Sequence, residues 1–147
     1  MDLYFRLLTA LLALTASKPA LPAQGSEGFA RECREFSSED PTRIDATRKK
    51  LEGSSNLDKR LPNDLKKSAL REPAYCIILH LKREALLPDL LKIAPRSSSA
   101  TLWSAIASMA GPKTAETLTK PARSWVSEKD SEDNLVRRAT ALQILAK

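Results

Sequence analysis

Apolar residues recur along most of this chain at three- and four-residue intervals, the spacing of a helix with one buried face. Sustained alternation of the kind a half-buried strand needs is nearly missing, and no Asn-Gly or Asp-Gly hairpin turn occurs. In "SEGFARECREF" (26–36), Ser26 is placed to cap, and Phe29, Ala30, Cys33 and Phe36 fall on one helical face. "EDPTRIDATRKKLEG" (39–53) has Asp40 as a cap and Pro41 at the first helical position. Ile44 and Leu51 form its apolar edge, and Gly53 is expected to end it in the left-handed conformation. After the turn "GSSN" (53–56), Leu57, Leu61 and Leu65 lie four apart, with Pro62 expected to kink or restart that helix.

The stretch "PAYCIILHLK" (73–82) is apolar nearly all round, which predicts a central buried helix with Pro73 as its first residue. A helix over 83–94 follows, then the polar turn "PRSSS". Next comes "ATLWSAIASMAG" (100–111), capped by a serine and stopped by Gly111-Pro112. Helices over 114–126 and 134–147 close the chain. Glu132 and Asp133 complement the positive end of the last one. Trp103 and Trp125 read as core residues.

The last helix also echoes an earlier one. Shifted by 66 residues, Leu70-Arg71 falls on Val136-Arg137 and Ile78-Leu79 on Ile144-Leu145. Helix starts near 70, 102 and 135 lie about 33 residues apart. So do Pro88 and Pro121, each in the middle of a helix that would pair with the next. A fixed period with two helices per unit marks an α-solenoid, because one hairpin cannot cover its own apolar face. The segments "LLPDLLKIA" and "LVRRATALQILA" resemble the first and second helices of a HEAT repeat. "LREPAYCIILHL" is similar, with a proline inside the motif. The resemblance covers about 57–147. It implies a right-handed stack of antiparallel helical hairpins, and the apolar pattern places a short N-terminal helix pair (24–56) before it in an all-α fold. It also implies protein binding along a surface, with no catalytic residues to carry over.

The first 23 residues stand outside this pattern. Arg6, a run of ten apolar or near-neutral residues (7–16) and the small-residue exit at Ala23 have the layout of a secretory signal peptide. Cleavage is placed after Ala23, with Ala16 and Ser17 as the other exits. The run is shorter than the roughly 20 residues that span a bilayer. Residues 24–147 then form one helical domain, exported to the periplasm or beyond. In that compartment Cys33 and Cys76, the only cysteines, are expected to form one disulfide.

Little in the chain points to catalysis or to a cofactor. His80 is the only histidine and lies on the buried helix, where a packed role is expected. Four glycines leave little material for a phosphate loop, and Glu72, Glu84 and Asp89 read as surface carboxylates. The net charge is +6. The excess concentrates in 43–71, where Arg43, Arg48, Lys49, Lys50, Lys59, Arg60, Lys66, Lys67 and Arg71 face only Asp45, Glu52, Asp58 and Asp64. Such a flank favours an acidic partner protein or an anionic envelope component. Nucleic acid is not expected, since the chain is read as exported and no aromatic platform accompanies the lysines. The resulting expectation is an exported, non-enzymatic protein-binding module, of which an inhibitor or immunity-type protein is one form. The competing expectations are an envelope hydrolase acting on glycan through a carboxylate pair, and an adaptor at a membrane surface.

Overall fold

The structure is a computed structural model that describes residues 28–129 and 131–147. The expected leader (1–23) and the capping Ser26 lie outside the described residues. Those residues form eight α-helices and three 3-10 turns, with no strand among them. The helices are α1 (Ala30–Phe36), α2 (Pro41–Glu52), α3 (Leu57–Leu65), α4 (Arg71–Leu81), α5 (Leu87–Ile93), α6 (Ala100–Ser108), α7 (Ala115–Val126) and α8 (Glu132–Leu145). α4 packs on α6, α6 packs on α8, and α7 lies along α8, while α1, α2 and α3 all touch α4.

Local chemistry explains most of these boundaries. The Asp40 carboxylate accepts from the Thr42 amide at 2.9 Å with Pro41 at the start of α2, and Ser99 Oγ accepts from the Leu102 amide at 3.2 Å to open α6. Leu57, Leu61 and Leu65 are all buried, and α3 continues past Pro62 without restarting. α4 begins two residues before Pro73, which still falls in the first turn, where its missing N–H costs no helical bond. α6 ends at Ser108, short of Gly111.

Other expectations fail in instructive ways. Gly53 has φ −77°, in the right-handed region, so it is not a left-handed cap. That conformation belongs to Lys82 at the end of α4, with φ 50°, and to Gly28 before α1, with φ 56°. At Gly28 the backbone angle favours glycine, and a Cβ would also crowd the Leu70 and Asp64 side chains at 3.2 and 3.3 Å. The expected helix over 83–94 is broken into a 3-10 turn (Glu84–Leu86), the seven-residue α5 and a second 3-10 turn (Ala94–Arg96). Pro88 therefore starts a short helix whereas Pro121 lies inside the twelve-residue α7. The two prolines are not equivalent in structure, although they are evenly spaced in sequence.

One core runs through the described helices. Leu61, Ile77, Ile78, Leu90, Leu102, Ile106 and Leu118 are fully buried within it. Each such side chain contributes about 1.5–3 kcal/mol of transfer free energy. Trp103 and Trp125 meet edge to face, with ring centres 4.9 Å apart, and Trp103 Nε1 donates to the Ser97 carbonyl at 3.2 Å. The chain also closes covalently: Cys33 of α1 is bonded to Cys76 of α4, with Cα atoms 5.9 Å apart. Beside the bridge, Phe36 of α1 stacks on His80 of α4 at 4.4 Å.

Candidate functional site

Three segments converge on a cleft of about 340 Å³, lined by Ser68, Arg71, Glu72, Tyr75, Lys92, Ile93, Arg96, Ser97 and Ser99. The 3-10 turn Ser68–Leu70 supplies Ser68, and the first two turns of α4 supply Arg71, Glu72 and Tyr75. The end of α5 with the 3-10 turn after it supplies Lys92 and Arg96, and the loop before α6 supplies Ser97 and Ser99. Arg71 is held by its Nε, which donates to the Leu65 carbonyl at 2.7 Å. Ser99 Oγ donates to Glu72 Oε2 at 2.7 Å while also capping α6, so one hydroxyl ties two helix starts together. The Ser99 amide donates to Ser97 Oγ at 3.2 Å, which orders the serine run.

The cleft is cationic. Arg71, Lys92 and Arg96 face a single carboxylate, Glu72, and Lys92 also lies 3.5 Å from the half-buried Asp89. Arg96 is exposed and makes no ion pair among the described residues. Burial pushes the Tyr75 phenol above its ordinary value, partly offset by the Arg71 charge, so at neutral pH it offers a neutral hydroxyl. Hydroxyls, two guanidiniums and an ammonium around one opening suit a carboxylate-bearing ligand. A second cavity, lined by Pro95, Arg96, Ser97, Ser98 and Arg137, shares Arg96 and Ser97 with the first and extends the groove. Arg137 is neutralised there: its NH1 donates to both Glu128 oxygens at 2.8 and 3.0 Å, and its NH2 donates to the Pro95 carbonyl at 3.2 Å.

The predicted basic flank is divided by the fold. Arg43 pairs with Glu35 through two nitrogens, Arg48 with Asp45 at 3.4 Å and Lys50 with Glu32 at 3.9 Å. Arg60 donates to the Gly28 carbonyl and lies 4.3 Å above the Phe29 ring. Arg43 and Lys50 tie α2 to α1, Arg60 holds the two residues just before α1, and Arg48 pairs within α2. Lys49, Lys59, Lys66 and Lys67 are exposed without an ion pair among the described residues, and only Arg71 enters the cleft. Lys92 and Arg96 lie outside the flank and went unrecognised as site residues. The clue available was an arginine directly before the serine run of 97–99, which reads on its own as a helix cap.

His80 is half-buried against Phe36, and burial, with a smaller contribution from Arg48, holds its pKa below the ordinary 6.5. Glu32 and Glu35 line a smaller cavity near α2, each tied to a cation as described above. Among the described residues no group of three or more His, Cys, Asp or Glu side chains is placed to hold a metal ion. No described helix is long and apolar enough to cross a membrane. Comparisons with protein-family models, with curated proteins and with solved structures return no match.

Proposed function

We propose that this chain is an exported, non-enzymatic binding module whose Arg71–Arg96 cleft takes an acidic segment of another protein. The cleft carries the reading: Arg71 and Arg96 come from different helical hairpins, and Arg96 has no ion pair of its own. The Arg71 guanidinium, held in advance by the Leu65 carbonyl, loses little on binding a carboxylate. Glu72, the one carboxylate in the cleft, is engaged by Ser99. Hydrolysis of a glycan would instead call for two carboxylates facing across the opening.

The hairpins α3–α4, α5–α6 and α7–α8 are read as a HEAT-like stack, supported by the packing of α4 on α6 and of α6 on α8. Export is supported by the leader-like residues 1–23 and by the Cys33–Cys76 bridge, which an oxidising compartment would preserve. In a Gram-negative cell the site of action would be the periplasm, where an inhibitor of a toxic enzyme is one form such a module takes.

The test is affinity capture from cell-envelope extract with the wild-type protein and the double variant Lys92→Glu, Arg96→Glu. One stoichiometric partner is expected with wild type and lost with the variant, and the binding should weaken as salt rises. Equal recovery by both proteins, or no stoichiometric partner at all, overturns the reading.

A further inference from the structure

The four large hydrophobic side chains that stand exposed among the described residues all belong to α8. Leu135 is 58% exposed, Val136 40%, Leu142 59% and Leu145 41%. At 100° per residue, Leu135, Ala139 and Leu142 make one stripe along the helix. The opposite side, with Thr140, Ala141 and Ile144, is buried. Scattered exposed leucines are ordinary on a surface, but a continuous stripe on one helix is not.

The 66-residue register shows what kind of surface this is. It sets Ala74, Tyr75 and Ile78 of α4 on Thr140, Ala141 and Ile144 of α8, and all six are buried. It also sets Cys76 and His80 on Leu142 and Ala146. In α4 those two positions are covered by the helix α1, through the bridge to Cys33 and the stack on Phe36. The later turns of α4 thus receive a helix where the later turns of α8 are left open, while Leu135 and Ala139 fall on Ala69, exposed, and Pro73, half-buried.

We propose that this face is a homodimer interface, occupied by α8 of a second copy running antiparallel about a two-fold axis. The stripe is nearly the same read in either direction, with Leu135 and Leu142 flanking the small Ala139. An antiparallel pair sets Leu135 of each copy against Leu142 of the other and lets the backbones approach at the alanine. It also brings the acidic start of each helix, at Glu132, toward Lys147 at the other's end, whose ammonium donates to its own chain's Ala107 carbonyl at 3.3 Å but has no carboxylate partner among the described residues, and it opposes the two helix dipoles. Arg138, beside the stripe, is engaged within its own chain. One helix pair covers less than the roughly 1,600 Å² of a standard interface, so the dimer should dissociate on dilution.

Analytical ultracentrifugation of the purified protein over a wide concentration range tests this. The mass should rise from monomer to dimer, and Leu142→Glu should weaken the association about tenfold or more with the helical circular-dichroism signal unchanged. Both native cysteines are paired, so in Ala139→Cys the new thiol is the free one. That variant should form an oxidised covalent dimer, and Glu116→Cys on α7 should not. A wild type that stays monomeric throughout overturns the proposal, as does a dimer indifferent to Leu142→Glu. So does a stripe that binds anionic lipid vesicles while the protein stays monomeric.

Discussion

At one end of the molecule α1 lies over α4, with Cys33 bonded to Cys76 and Phe36 stacked on His80. At the other end α8 presents Leu135, Leu142 and Leu145 to solvent. The two helices share an apolar register, and their neighbours decide what each face does. α1 has seven residues, too few for a helix that holds itself together in water. Its place depends on the bridge, on the buried Phe29 and Phe36, and on the ion pairs of Glu32 and Glu35. Exposed pairs of that kind contribute about 0–1 kcal/mol each, so burial and sulfur carry most of the attachment. The open face of α8 adds nothing to the monomer and can contribute only on association.

Removing the bridge should have the largest effect. Cys33→Ser with Cys76→Ser frees a loop with a sequence separation of 43 and should cost about 4 kcal/mol in urea unfolding under the chain-entropy model. A loss below about 1 kcal/mol would show that α1 is held by packing alone. Next comes Arg137→Ala, which strips Glu128 of its partner and uncovers the Trp103 ring, 5.4 Å from the guanidinium carbon. A cost of about 2 kcal/mol is expected, between the exposed and the buried limits for ion pairs. Arg71→Ala, at the matching position of α4, loses one hydrogen bond and should cost about 1 kcal/mol.

Leu142→Ser sharpens the comparison from the open side. Measured at concentrations where the protein is monomeric, it should change stability by no more than about 0.5 kcal/mol. A larger loss would mean that the stripe is covered within the monomer. The smallest effect concerns pH. His80 binds its proton less readily in the folded chain than in the unfolded one. Its favourable contribution is thus present above about 6.5, the unfolded value, and is lost as pH falls through the lower folded value. Thermal melts from pH 7.5 to 5 should show part of this slope vanish in His80→Gln, and an unchanged slope would assign it to carboxylates.

Much of the fold can be read from local pattern. The caps Asp40 and Ser99, the leucines of α3, the two core tryptophans and the cysteine pair all follow from residue type and spacing. Regular spacing was less reliable for the repeat. Pro88 and Pro121 lie 33 residues apart, yet one opens a short helix and the other lies within a long one. What a proline does depends on which carbonyls and amides around it are already committed. The left-handed cap fell on Lys82, where no glycine marked it. The Lys82 amide closes α4 on the Ile78 carbonyl at 2.8 Å, and the residue accepts the strain.

Residue order alone determined the helical class, the helix starts with capping side chains, the apolar faces and the only possible disulfide pairing within the chain. Those depend on contacts a few residues apart, or on there being just two cysteines. The tertiary structure decided which charges stay available: Arg43, Arg48 and Lys50 are used up against neighbouring carboxylates, whereas Arg71 meets Lys92 and Arg96 across a cleft. It also decided which of two matching helix faces is covered. The reason is common to both: a side chain's periodicity says that it needs a partner, and only the packing of distant segments supplies one.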